Sequence, residues 1–240
     1  MNKIFNRIMQ EFSGWQPWEV VYILCCTAAI GFISVHLGDN IIGIISAVTG
    51  TLYTMFAGKG KISCYFFGII NTLTYGYIAY TQKIYGDMML NLAVYLPMMF
   101  VGIAMWKRRL NEECSIIKST LPGRARLILI GMNIVAIIVY AAVLRFLGAA
   151  QPLVDSTTTV LSVTAMVLTL KRCIEQWILW TAVNALSVIM WFRVFFSTGG
   201  TSAAVLIWWM IMLVSGIIFY IQWRKSLPEK TEGVSENVLI

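Results

Sequence analysis

Eight apolar stretches, each of roughly the length that crosses a bilayer, leave this chain few folds to choose from. They run at roughly 20–37, 40–57, 63–81, 88–106, 124–147, 154–170, 175–196 and 203–223. A spanning helix takes about 20 residues. Hydrocarbon offers no partner to a backbone N–H or C=O, so each stretch must satisfy its own backbone as a helix. Composition closes the argument: 59% of residues are from AVILMFWYC and only 12% from DEKR, against about 25% charged residues in a soluble domain. With a mean hydropathy of +0.77, such a chain cannot clothe itself in polar groups in water. A soluble enzyme, a disulfide-stapled secreted domain and a disordered chain are excluded. The expected fold is an all-α integral membrane protein of eight transmembrane helices.

The net charge of +7 would suggest nucleic acid in a soluble protein. Here Lys and Arg mark the cytoplasmic loops instead. With a cytoplasmic N-terminus and strict alternation, only Lys83, Arg145 and Arg193 of the 18 Lys and Arg fall outside. The others cluster in the N-terminal segment, the join near 58–62, the loop and turn at 107–126, the turn at 171–172 and the tail. Seven spans would break that pattern, so both termini are expected in the cytoplasm. Cys25, Cys26, Cys64, Cys114 and Cys173 form no CxxC pair, and His36 is the lone His. They read as structural thiols in a reducing setting, with no metal set and no cofactor. No cleavable signal is expected, because the first long apolar run reads as a true span.

The expected organisation follows the runs. Residues 1–19 form an interfacial amphipathic segment: Ile4, Phe5, Ile8, Met9 and Phe12 recur at helical spacing, and Trp15 and Trp18 anchor at the lipid boundary. An extra first helix covers 20–37, a three-helix bundle 40–106, and a polar cytoplasmic loop 107–123. A linking helix covers 124–147, a second three-helix bundle 154–223, and a cytoplasmic tail 224–240. The bundles read as repeats. Phe67-Gly-Ile-Ile-Asn71-Thr-Leu-Thr-Tyr75 lies over Trp180-Thr-Ala-Val-Asn184-Ala-Leu-Ser-Val188, and Trp106-Lys-Arg-Arg answers Trp223-Arg-Lys. The linking span restores the orientation that an odd-numbered repeat would invert. Two parallel repeats in a 3+1+3 arrangement point to a transporter with its substrate near the midplane.

No Asp, Glu, Lys, Arg or His stands near the middle of a run; Asp39, Asp87, Asp155 and Glu175 lie at run ends. Proton relays place ionisable groups at depth, and hydrolysis there would need a base or metal ligands. No Walker A sequence is present either. A pump and an intramembrane enzyme are therefore disfavoured.

Aromatics, amides and hydroxyls do occur at depth. At 100° per residue, Trp177, Trp180, Asn184, Ser187 and Trp191 fall within about 80° of arc. An Asn amide facing lipid costs several kcal/mol, so this face looks inward. Across from it the repeat places Phe67, Asn71, Thr74 and Tyr75. The fourth span adds Asn91 and Tyr95, and the eighth Trp208. Rings stack on Trp and Tyr, Asn pairs with hydroxyls or amides, and a cationic ring gains about 2 kcal/mol more on a desolvated indole. Blander readings compete. An Asn often only joins helices, which suits Asn133. Trp177 and Trp191 also suit an interfacial anchor. Thr157, Thr158, Thr159 and Ser162 suit back-bonding to their own helix. Of Trp208 and Trp209, one ring is expected inward and the other toward lipid or a neighbouring subunit, so loss of Trp209 is expected to matter little and loss of Trp180 much. Gly68, Gly76, Gly102, Gly216 and Pro97 are points of close packing or bending.

Trp177-x-x-Trp180-x-x-x-Asn184 resembles the WxxWxxxN signature of the PnuC family of bacterial vitamin transporters. Tyr85-Gly86-Asp87, Asn91, Tyr95, Gly102 and Trp106 resemble that family's fourth span. The resemblance covers about residues 20–225. It implies an architecture similar to SWEET-type sugar carriers, a bacterial inner-membrane location, a homotrimer, and uptake of nicotinamide riboside by facilitated diffusion with trapping by phosphorylation. It also implies substrate contacts at Trp180, Asn184, Trp177, Asn91 and Tyr95; Asn71 and Tyr75 come from the repeat. Thiamine, riboflavin or a deoxynucleoside is the alternative cargo, and a membrane protein that binds without transporting is the alternative class. The expected partners are the small-molecule substrate and membrane lipid, with no nucleic acid.

Overall fold

The computed structural model describes residue 11 and residues 14–36, 41–81, 88–109, 116–146, 148, 152–197 and 203–227. Most of the amphipathic segment 1–19, the joins bearing Asp39, Lys83 and Asp87, Cys114 and the tail beyond 227 lie outside the described residues, as does the Trp191 side chain.

Among the described residues eight helices follow one another: α1 Pro17–His36, α2 Ile41–Gly58, α3 Cys64–Thr81, α4 Leu96–Lys107, α5 Gly123–Phe146, α6 Pro152–Leu170, α7 Glu175–Ser197 and α8 Ala203–Lys225. A π-helical segment, Leu90–Tyr95, leads into α4. No β-strand occurs among the described residues. α1 starts earlier than the apolar run because Pro17 suits a first helical turn and the Glu19 carboxylate reaches back to the Gln16 N–H at 2.8 Å, half of a capping box. Trp15 turns inward onto Phe56, their ring centroids 5.1 Å apart, while Trp18 stays exposed.

Among the described residues five segments are long and apolar enough to cross a membrane: Ile41–Gly58, Leu90–Lys107, Gly123–Phe146, Pro152–Leu170 and Leu206–Lys225. α1 is apolar as well, over Pro17–Phe32 among the described residues. α3 and α7 carry polar residues well inside their lengths. Their sequences carry Asn71, Thr72 and Thr74, and Gln176, Asn184 and Ser187, and these face other helices rather than lipid.

α2 packs on α3 and α3 on α4; α6 packs on α7 and α7 on α8. Between these groups α4 meets α6 and α2 meets α8, α1 leans on α2 and α8, and α5 lies against α6. Asn133 ties that last pair, its carbonyl oxygen accepting from Thr164 Oγ1 at 2.8 Å.

Glycines set the closest approaches. A Cβ on Gly102 would overlap the Tyr65 ring, and one on Gly58 the Phe219 ring. Two buried carboxylates fix the loops. Glu19 takes Lys59 Nζ at 2.8 Å and Gln222 Nε2 at 2.9 Å. Glu175 takes Arg126 Nε at 2.8 Å, Thr120 Oγ1 at 2.9 Å and the Leu121 N–H at 3.1 Å.

Candidate functional site

A cavity of about 690 Å³ separates the two three-helix groups, a size that suits a small organic ligand. α2, α3, the π segment and α4 form one wall; α6, α7 and α8 form the other. Asn71, Tyr75, Asn91, Tyr95, Trp177, Trp180 and Asn184 all line it. α3 and α7, the two helices richest in these residues, face each other across the space.

The seven residues are not equivalent. The Asn184 side chain is buried to 7% exposure, yet its amide makes no hydrogen bond to any described residue. An Asn amide can make about four hydrogen bonds, so this one is available to whatever fills the cavity. Asn71 is committed: its Nδ2 donates to the Ser46 carbonyl at 2.8 Å. Gly50 makes that possible, since a Cβ there would sit 2.8 Å from Asn71 Nδ2. The turns after α2 and α6 match at an offset of 112 residues, Gly60 with Arg172 and Lys61 with Cys173, one short of the expected 113. This sets Ser162 against Gly50 and Thr72 against Asn184, and α6, which has no glycine, offers Asn184 no such dock.

Trp180 presents a half-buried indole whose N–H points at Thr169 Oγ1, 3.4 Å away. Trp177 is buried, not interfacial. It packs at 5.2 Å on Phe219 and edge-on at 5.7 Å on Trp223, and its N–H finds no partner among the described residues. It belongs to the cavity floor. Asn91 and Tyr95 come from the π segment, where the Leu96 N–H reaches the Asn91 carbonyl. A π turn is rare and often marks a functional site.

Sequence reasoning missed Gln176. Its side chain is 1% exposed, lines the cavity, and leaves Nε2 without a partner among the described residues. A polar residue in a helix's first turn reads as a boundary residue, which hid it; its place beside Trp177 was the available signal. Trp208 lines the cavity as expected, but so does Trp209. The two rings meet edge-to-face at 4.7 Å, and the expectation that Trp209 points away is corrected. Thr157 and Thr158 do bond back to their own helix, and Thr158, Thr159 and Ser162 also line the space.

The cavity has a closed end and an open one. At the closed end lie Trp106 and Trp223, both 0% exposed. The Trp106 indole donates to the Thr169 carbonyl at 3.0 Å and the Trp223 indole to the Gly58 carbonyl. Each bond runs from the last helix of one group to the first helix of the other. At the opposite end the lining residues Tyr75, Asp155 and Ile207 are exposed. Among the described lining residues Asp155 carries the sole formal charge; there is no Lys, Arg or His.

Comparison with known proteins places this geometry. Residues 40–225 match the family described as nicotinamide mononucleotide transporter. A nicotinamide riboside transporter PnuC from Neisseria mucosa is 39% identical over 219 residues, covering 89% of this chain and 83% of that protein. The protein of the same description from Haemophilus influenzae is 33% identical over 223 residues, covering 91% and 95%. The crystal structure of the vitamin B3 transporter PnuC superposes with a TM-score of 0.79 at 37% identity, covering 90% of this chain and 95% of that one.

Proposed function

The chain belongs to the nicotinamide mononucleotide transporter family, and from that membership we propose that it carries nicotinamide riboside across a bacterial inner membrane by facilitated diffusion. It is a multi-pass membrane transporter and not an enzyme. The family description names the mononucleotide and the relatives' descriptions the riboside; the cavity discriminates between them. A phosphate monoester carries about −1.5 to −2 charge near neutral pH. Burying that charge without a cation is costly, and the described lining offers no Lys, Arg or His. The riboside instead brings a pyridinium ring, an amide and sugar hydroxyls. These suit the indole of Trp180, the uncommitted amide of Asn184 and the buried amide of Gln176. The absence of a cation from the described aromatic and amide lining is the observation that carries the reading.

The mechanism follows from the packing. The first bundle (α2 to α4) and the second (α6 to α8) act as parallel repeats, α5 links them, and α1 is the extra helix. The cargo sits between them and the bundles rock about it. Lys and Arg cluster at the Trp106–Trp223 end, so that end faces the cytoplasm, with both termini. Trp180, Asn184, Trp177, Asn91 and Tyr95 contact the cargo, as do Tyr75 and Gln176, while Asn71 shapes the wall. No ionisable group at depth couples the movement to an ion, so net uptake depends on phosphorylation of the cargo after entry. Assembly as a homotrimer of 27.0 kDa chains completes the proposal and predicts three copies by mass measurement of the detergent-solubilised complex.

Calorimetry on the purified protein with nicotinamide riboside, its mononucleotide, thiamine, riboflavin and thymidine tests the cargo. Selective binding of the riboside, followed by its equilibration into protein-loaded vesicles, is the expected result. Preference for another ligand moves the substrate and keeps the machine. Binding without flux returns the protein to the non-transporting class.

A further inference from the structure

Among the described lining residues the lone formal charge is not in the ring-binding zone but at the cavity's open end. Asp155 stands in the first turn of α6, exposed and in the cavity wall. The ion pairs among the described residues are Lys59–Glu19 and Arg126–Glu175, so this carboxylate is not spent on a structural pair. Arg145 and Arg193 lie toward the same end of the molecule, and neither forms an ion pair with it. Its side chain makes no hydrogen bond to a described residue. A helix N-terminus favours a carboxylate in the first turn, which accounts for Asp155 being tolerated there. It does not account for its facing the cavity.

We propose that Asp155 is a specificity-determining residue at the cavity mouth, drawing in cationic cargo and turning away phosphorylated cargo before either reaches the aromatic zone. This rests on the riboside reading above. A low-dielectric funnel lined by one sign of charge focuses its field and raises the local concentration of the opposite charge. The pyridinium of nicotinamide riboside is attracted; the mononucleotide, with its phosphate, is repelled. Deeper in, Trp180 and Asn184 recognise shape and hydrogen bonding and need no charge of their own. Charge is thus read at the door and structure within, which keeps the deep site free of an unpaired carboxylate once the cargo has left.

The test compares two ligands of the same shape and different charge: nicotinamide riboside, a cation, and its reduced dihydropyridine form, which is neutral. Vesicle uptake is measured for wild type and for Asp155→Asn, which keeps the size and polarity of the side chain. The riboside KM is expected to rise about three- to tenfold, the low end of electrostatic steering, with kcat unchanged and the wild-type salt dependence flattened. Uptake of the reduced form is expected to be unaltered. Asp155→Lys is expected to lower the riboside rate further. Equal losses for both ligands would mean that Asp155 only supports the helix start, and no change for either would mean that it reads nothing; each result overturns the inference and leaves riboside transport intact. If wild type carries neither ligand, the riboside reading and this inference fall together.

Discussion

Asn71 and Asn184 align in the sequence repeat, yet the structure sets them one residue out of register and gives them different work. The Asn71 amide holds α3 to α2 through the Ser46 carbonyl, whereas the Asn184 amide has no partner among the described residues. Asn71→Leu is therefore expected to lower thermal stability in detergent by about 1 kcal/mol, the usual worth of such a bond between membrane helices, with riboside affinity reduced far less than stability. Asn184→Leu is expected to leave the melting temperature level or higher. It should cut affinity by roughly ten- to a hundredfold, because a ligand group loses its hydrogen bonds at a cost of about 1–3 kcal/mol. Melting curves and calorimetry on both variants decide it; parallel changes in the two would erase the distinction. The sequence made both residues legible as inward-facing, since an amide cannot face lipid. It could not separate glue from ligand contact, because that depends on Gly50 of α2 lying opposite Asn71 while α6 has no glycine to do the same for Asn184. Gln176 and Asp155 stayed hidden for a related reason. A polar residue at the end of an apolar run looks like a boundary, and only the cavity's length shows that the boundary lines it.

Helix by helix, the apolar runs announce where elements lie but not how their backbones are wound. Asn91 and Tyr95 read as one α-helical turn apart; the structure sets them in a π segment. Pro97 supplies a physical reason. It has no N–H, so in an α-helix the Ala93 carbonyl would lack its donor. In an i to i+5 register that carbonyl looks to residue 98 instead. The expected bend at Pro97 thus takes the form of a widened turn just before it, which turns Asn91 into the wall of the cavity. Glycine behaviour is also an element property. Gly102 of α4 lies against the Tyr65 ring of α3, whereas Gly131 of α5 has nothing within 4 Å of where a Cβ would stand. Gly102→Ala is expected to destabilise by about 1–3 kcal/mol through overpacking. Gly131→Ala is expected to be neutral or to stabilise by up to about 1 kcal/mol. Thermal denaturation of the two variants side by side checks the assignment, and equal shifts would show that the α3–α4 contact is looser than described.

For the molecule as a whole, the decisive feature is how the two bundles are held together at one end. Contacts between them run along α4–α6 and α2–α8, and each has a buried indole at its closed end. Trp106 donates to the Thr169 carbonyl and Trp223 to the Gly58 carbonyl. In the rocking motion proposed above, the two bonds form a crossed latch that breaks as a pair when this end opens. Tyr65 backs Trp106 edge-on at 4.9 Å, and Trp177 backs Trp223, so the cavity wall and the latch share a ring. The sequence showed both Trp residues as repeat-related but suggested span ends, not a closure, because a donor's acceptor on another helix leaves no trace in its own segment. Replacing either Trp by Phe removes one bond while keeping most of the ring, a change of about 1 kcal/mol or slightly more. That is close to a tenfold shift in an opening equilibrium. Spin-label distances between the ends of α2 and α6 are expected to show the open population rising about tenfold in Trp106→Phe and in Trp223→Phe alike. The two effects should combine to more than either alone in the double variant. Pseudo-symmetry is what makes this demanding: a large effect from one Trp and none from the other would leave a simple helix anchor on the silent side and dismantle the crossed latch. Unchanged distances in both variants would place the closure in the surrounding hydrophobic layer of Met55, Tyr65 and Met166 instead.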